Sequence, residues 1–220
     1  MKTLLLFCDF DGTVSRRDVG YNMYHHFSGG RNDELLPDWR AGKMSSRECL
    51  TREAAMVNAT SQEILAYIEQ FEIDPGFADF VALAKKNGIA PTILSDGLDF
   101  YIRHILGRNG LDQLAVIANI GHLNGSGLTI DFPRTNRTCT RCGNCKGEII
   151  EEFRERAETP VTTVFVGDGY SDICATRSAD LLFAKKDLER YCVEHKIAYT
   201  KYDTFFDVGR ILTERGLLRP

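Results

Sequence analysis

Asp9-Phe10-Asp11-Gly12-Thr13 puts two carboxylates two residues apart, directly behind the apolar run Leu4–Cys8. In extended chain, residues i and i+2 point the same way. Asp9 and Asp11 therefore stand side by side while Phe10 points away. Gly12 permits a tight turn whose backbone N–H groups can face an anion, and Thr13 adds a hydroxyl. Comparable groups recur further on: Ser95 closes Ile93-Leu94-Ser95, Lys146 opens a helix-like segment, and Asp168 and Asp172 follow the run Val161–Val166. Two carboxylates 4 Å apart repel by about 4 kcal/mol at an effective dielectric near 20. Asp9, Asp11 and Asp168 brought together thus require a cation or shared protons. Ligands that are all oxygen point to Mg²⁺, which takes one or two carboxylates, water and a phosphate oxygen; Ca²⁺ asks for more oxygens than these residues supply.

The elements that must converge these groups can be read from apolar runs. Leu4–Cys8, Ile89–Leu94, Ala115–Ile120, Val161–Val166 and Leu181–Ala184 each stop at a polar or Gly-containing turn, as strands buried on both faces do. Amphipathic helices are expected between them: one opened by Asp74-Pro75 and closed at Asn87-Gly88, and others over 98–109, 147–157 and 171–179. This alternation predicts an α/β fold, a Rossmann-like three-layer core around a parallel sheet. Ligands of such sheets bind at the carboxyl ends of the strands, where the polar groups above lie. Residues 16–73 break the alternation. Ser45-x-x-Glu48 and Thr60-x-x-Glu63 have the capping-box form, and helices are expected near 19–27, 46–58 and 61–71. The expected organisation is a core of residues 1–15 and 74–220 with a helical cap, 16–73, inserted after the first strand. A helical bundle on the side of the sheet is the alternative. Asn124-Gly125-Ser126-Gly127 reads as a β-hairpin turn.

At this point a resemblance enters. Asp9-Phe10-Asp11-Gly12-Thr13-Val14 resembles the first motif of the haloacid dehalogenase-like phosphohydrolases, Ser95 their second, Lys146 their third, and Gly167-Asp168-Gly169-Tyr170-Ser171-Asp172 their fourth, in the family's order. The resemblance implies a Mg²⁺-dependent phosphatase. Asp9 would be the nucleophile that forms an aspartyl-phosphate and Asp11 the general acid and base. Gly12, Thr13, Ser95 and Lys146 would bind the phosphoryl group. The metal would be held by Asp9, the backbone carbonyl of Asp11 and Asp168, with Asp172 as a ligand or support. The insert after the first motif and the cysteines before the lysine resemble the phosphoserine-phosphatase-type branch, including methionine-salvage and phosphoethanolamine/phosphocholine phosphatases. The expected partner is a small phosphorylated metabolite, for which Asp18, Tyr21, Asn22 and Asp96 are candidate contacts. Each of these four is equally a capping or surface residue.

Cys139-x-x-Cys142-x-x-Cys145 runs straight into Lys146. Thiolates so spaced can share a structural Zn²⁺, which prefers four N or S ligands. The fourth is open among His122, Cys8 and solvent; reduced packed cysteines and a disulfide or redox role are the other readings. Arg134, Arg137 and Arg141 make the segment basic and raise a zinc-dependent nucleic-acid binder as an alternative of another class. A net charge of −4 over 220 residues argues against it. The composition, 43% hydrophobic and 26% charged, suits a globular protein. No apolar run approaches the ~20 residues of a membrane span. The odd count of seven cysteines fits a reducing, cytoplasmic setting. No phosphate loop or dinucleotide fingerprint is present, and the sequence is silent on oligomeric state.

Overall fold

The computed structural model describes residues 3–220. Its sheet has strand order β4-β3-β2-β1-β5-β6-β7. The strands are β1 (Thr3–Cys8), β2 (Thr92–Leu98), β3 (Ala115–Asn124), β4 (Gly127–Asp131), β5 (Val161–Gly167), β6 (Leu181–Ala184) and β7 (Thr200–Lys201). Every pairing is parallel except the β3–β4 hairpin. β1 lies between β2 and β5, with Leu6 opposite Val164 and Cys8 opposite Val166.

Alternation along the strands builds two apolar layers. Phe7, Leu94 and Phe165 face Ile149 and Ile150 of α7 (Lys146–Arg156) and Leu188 and Cys192 of α8 (Lys186–His195). Leu6, Cys8, Ile93, Val164 and Phe183 face the other way. They pack on α5 (Phe77–Lys86), α6 (Asp99–Arg108) and α9 (Phe205–Glu214) through Phe77, Phe80, Ile102, Ile105, Phe205 and Val208. A sheet with helices on both faces is the three-layer α/β core expected from the sequence.

Between β1 and β2 the chain is helical: α1 (Val19–Ser28), a 3₁₀ turn Arg31–Glu34, α2 (Leu36–Arg40), α3 (Ser46–Met56) and α4 (Ser61–Ile68). Thr60 and Glu63 form the reciprocal capping box, and Ser45 caps α3 by accepting from Glu48 N at 3.2 Å. The bridge Ser15↔Ile73 brings the two ends of this segment together.

Several boundaries differ from the sequence reading. β2 starts at Thr92, after Pro91, which has no N–H to give a ladder, and it runs on through Ser95 to Leu98 with an irregularity between Leu94 and Leu98. Asp74 does not cap α5. Its carboxylate accepts from Gly76 N at 2.9 Å and Phe205 N at 3.0 Å, so it ties α5 to α9. The helix expected over 171–179 is a 3₁₀ segment, Tyr170–Arg177. β7, α8 and α9 were not anticipated.

Candidate active site

β1 delivers Asp9 to the carboxyl edge of the sheet, where its N–H donates to Val166 O at 2.9 Å. The chain then turns through Phe10–Val14 with Gly12 at φ +79°. A Cβ on Gly12 would come within 2.3 Å of Asp168 Oδ2, so both the backbone angle and the neighbouring carboxylate demand glycine there. Asp11 lies under the start of α1. Its Oδ1 accepts from Val19 N at 2.8 Å and Gly20 N at 3.2 Å, and its Oδ2 accepts from the Tyr101 hydroxyl at 2.7 Å. Burial pushes the Asp11 carboxyl upward, with those three donors opposing.

Lys146, the first residue of α7, is wholly buried. Its ammonium donates to Asp9 Oδ1 at 2.5 Å and also to Asp172 Oδ1. Burial alone would push this ammonium down, but Asp172 and Asp9 outweigh it and hold it well above the usual lysine range. Asp9 is nevertheless raised, first by burial, then by Asp172, with Lys146 pulling against both. Both partners move upward because buried carboxylates share one buried ammonium. Asp168 sits behind β5, raised by burial and Asp172, and accepts from Thr13 Oγ1 at 3.0 Å and Lys186 Nζ at 2.9 Å.

Donor oxygens of Asp9, Asp168 and Asp172 all lie within 4.8 Å of one another and are buried. Hard carboxylate oxygens gathered this closely, those of Asp9 and Asp168 raised by burial and by Asp172, fit a divalent cation such as Mg²⁺. Asp172 is committed elsewhere, however. Its Oδ2 accepts from Asp168 N at 2.8 Å and Gly169 N at 3.0 Å while its Oδ1 holds Lys146, so it fixes the two groups that flank Asp9.

A cavity of about 310 Å³ opens above Asp9, Asp11 and Ser95. Its far wall comes from the helices between β1 and β2: Tyr21 and Tyr24 of α1, Leu36, Trp39 and Arg40 of α2, and Cys49, Leu50 and Glu53 of α3. Its size suits a small metabolite.

The other sequence-derived candidates divide. Ser95 lines the cavity, its Oγ accepting from Gly97 N at 2.9 Å. Thr13 is buried and turns its hydroxyl to Asp168. Gly12 likewise lies beneath the carboxylates rather than on the cavity wall. Asp18 and Tyr21 line the cavity, although Asp18 also caps α1 by accepting from Tyr21 N at 2.8 Å, and the Tyr21 hydroxyl donates to Asp33 at 3.1 Å. The Asn22 side-chain amide donates to Asp18 O at 2.5 Å. Asp96 reaches the wall, but its carboxylate accepts from Asn144 N at 2.7 Å and Gly143 N at 3.3 Å, which anchors the loop before Lys146.

Lys186 was missed. Its ammonium bonds Gly12 O and Asp168 Oδ2, each at 2.9 Å. The position directly after the apolar run Leu181–Ala184 and Lys185 could have flagged it, since strand ends carry such groups. The ammonium of Lys185 lies 4.8 Å over the Tyr202 ring. Glu53 was missed too. Burial pushes it up to about 7, with an Asn32 amide opposing. An acid raised in the folded state makes stability fall as pH rises between about 4.5 and 7. Glu53→Gln is expected to raise the unfolding free energy at pH 8, by on the order of 3 kcal/mol at most, and to make no difference at pH 4. Urea titrations at the two pH values check this; a stability gain independent of pH would refute the buried-acid account.

Neither His122 nor Cys8 stands beside the cysteine trio as a fourth ligand. His122 pairs with Asp131 at 2.8 Å on the exposed hairpin, and Cys8 is buried inside the sheet. The group is completed by Cys174 of the 3₁₀ segment. Hydrogen bonds from Cys142 and Cys145 pull the Cys174 thiol down to about 4. The basic residues nearby are engaged within the chain: Arg134 with Glu152, Arg137 with Glu155, and Arg141 with the carbonyls of Trp39 and Arg40.

The haloacid dehalogenase-like hydrolase family model matches residues 6–177. A 2-hydroxy-3-keto-5-methylthiopentenyl-1-phosphate phosphatase of Brevibacillus brevis is 30% identical, over 97% of this chain and 96% of its own. One of the same name from Exiguobacterium sibiricum is 30% identical over 94% of each. A solved phosphoserine phosphatase, a phospho-aspartyl intermediate analogue, superposes with a TM-score of 0.69 over 93% of this chain and 95% of its own at 20% identity. A phosphoserine phosphohydrolase-like protein of Francisella tularensis gives 0.72 over 96% and 100% at 18%. The chain belongs to the haloacid dehalogenase-like hydrolases. Within them it is a phosphoric monoester hydrolase. Among the described residues no helix is long and apolar enough to cross a membrane.

Proposed function

We propose that Asp9 attacks the phosphorus of a small phosphate monoester, and that the observation carrying this is its buried contact with Lys146 beside Asp11 at the floor of the cavity. The Asp9 carboxylate oxygen bonds to phosphorus as the ester oxygen leaves, giving an aspartyl-phosphate. Asp11, its carboxyl raised by burial, gives its proton to the leaving oxygen and later takes one from the water that releases phosphate. Ser95 and Lys146 hold the phosphoryl oxygens. Asp9, Asp168 and the backbone carbonyl of Asp11 would hold Mg²⁺, which supplies charge neutralisation at the phosphoryl group. Asp172 positions Lys146 and Asp168. Residues 16–73 serve as the cap, since α1, α2 and α3 supply the cavity wall facing the carboxylates.

For substrate we favour a methionine-salvage enediol-phosphate. Relatives bearing that name span nearly the whole chain, and Leu36, Trp39 and Leu50 offer an apolar wall to an uncharged tail. A second reading, a phosphate ester carrying an ammonium, such as phosphoethanolamine, phosphocholine or phosphoserine, is favoured by Asp18 and Glu53 beside the Trp39 and Tyr21 rings.

Phosphate release from these four esters and a generic aryl phosphate, with Mg²⁺ and with EDTA, tests both. The expected result is turnover with Mg²⁺, none with EDTA, and highest kcat/KM on the enediol-phosphate. Preference for an amine ester would transfer the assignment to the second reading. Turnover undiminished by EDTA would overturn the metal assignment.

A further inference from the structure

Outside the catalytic carboxylates, one cluster uses residue types the phosphatase chemistry does not need. The Sγ atoms of Cys139, Cys142, Cys145 and Cys174 all lie within 4.8 Å of one another, and every cysteine among the described residues is free. Cys142 and Cys174 are 3.7 Å apart. That is far beyond a disulfide, whose sulfurs stand about 2.05 Å apart. It matches the edge of a tetrahedron of sulfurs about 2.3 Å from a central Zn²⁺, roughly 3.8 Å. We propose that these four cysteines form a structural tetrathiolate site for Zn²⁺, with Cys174 as the ligand that closes it.

The surroundings are built for this. Residues 132–145 form neither helix nor strand, yet the loop is held in shape from within. The Glu148 carboxylate accepts from the N–H groups of Thr138 and Cys139 at 2.8 and 2.7 Å. The Asn136 amide donates to Cys142 O at 2.8 Å and accepts from Cys145 N at 3.1 Å. Cys142 and Cys145 are buried, and Cys145 occupies the position just before the 11-residue helix α7. Four sulfurs gathered to tetrahedral spacing without a disulfide among them match the ligand set of a soft ion.

The site's place in the chain gives it a consequence. Cys145 precedes Lys146, and Cys174 follows Asp172 by two residues, so one ion would clamp the segments that carry the two halves of the buried ion pair. Arg141, inside the trio, donates to Trp39 O at 3.2 Å, and its own carbonyl accepts from Ser46 N at 2.7 Å. The same clamp therefore reaches the helices that wall the cavity. This consequence for catalysis rests on the phosphatase reading above; the presence of zinc does not.

The test is metal analysis of the full chain, purified under reducing conditions without chelator after growth with zinc. About one Zn²⁺ per chain is expected, and replacement by Co²⁺ should give thiolate-to-cobalt charge transfer with intense tetrahedral d–d bands. Asp9→Asn, which removes turnover, should keep its zinc, so failure of the catalytic reading and failure of this one are separable. Cys174→Ser should lose at least tenfold in zinc affinity, measured by competition with a chromophoric chelator, and should lose hydrogen-exchange protection over 137–146. Should that variant not fold, the wild-type metal content decides alone. Less than about a tenth of an equivalent of zinc in folded wild type, or a Cys142–Cys174 disulfide in the reduced preparation, would overturn the proposal.

Discussion

Asp9→Asn is expected to lower kcat by about 10⁴-fold or more while leaving the protein folded. The amide keeps the shape of the carboxylate but cannot attack phosphorus. Its effect on folding should be small, or favourable, because the Asp9 carboxylate is buried beside Asp168 and Asp172 and is held above its ordinary range by burial and by Asp172. Removing that charge relieves repulsion, and Lys146 keeps Asp172 as a partner. Phosphate release under substrate saturation, paired with a thermal melt, separates the two effects. Retention of even a hundredth of wild-type turnover would remove Asp9 from the role of nucleophile.

Lys146→Met should act on stability as strongly as on rate. The substitution keeps most of the side-chain volume but leaves Asp9 and Asp172 buried without their shared cation. Breaking a buried pair in this way costs about 3–5 kcal/mol, since the remaining charges stay desolvated. The pH dependence follows in sign. Without the ammonium, the Asp9 carboxyl, already raised by burial and by Asp172, rises further above its unfolded value. Stability is then retained at low pH, where the acids are protonated in both states, and is lost as pH rises through the range in which only the unfolded chain ionises. Urea unfolding at pH 3 and pH 8 should show near-equality with wild type at the first and the full deficit at the second. A deficit of the same size at both would mean that packing, rather than charge, is what Lys146 supplies.

The parallel sheet was legible because its strands are apolar on both faces and end abruptly at polar turns, so the pattern of Leu4–Cys8 or Val161–Val166 has little room for another reading. The fixed spacing of Asp9 and Asp11 likewise announced itself. What stayed hidden was whatever depends on convergence from distant segments. Nothing local distinguishes Cys174 from a buried cysteine, and only the packing of Tyr170–Arg177 on the start of α7 brings it to the trio; a Cβ on Gly147 would meet Cys174 O at 2.4 Å. Thr13 has the residue type for an oxyanion contact, but its hydroxyl proton goes to Asp168. A helix shows only part of its circumference to a cavity: Tyr21 and Tyr24 of α1 line it, while the Asn22 amide bonds back to Asp18 O. Glu53 lay on a helix that the capping box revealed, yet its burial is a tertiary fact.

The central position of β1 bears on how the protein is made. Thr3 pairs with Val161 and Cys8 with Val166, so β1 leaves the ribosome well before its partner β5 and waits for it. At 5–20 residues per second, that interval is roughly 8–30 s. During it β1 can pair with β2, but its other edge, an unbroken run of Leu4-Leu5-Leu6-Phe7, has no neighbour. Such an edge templates pairing with other chains. Nascent chains stalled before residue 161 should therefore be the chaperone-dependent, aggregation-prone form of this protein, and synonymous changes that slow translation between β2 and β5 should lower soluble yield without altering the finished enzyme.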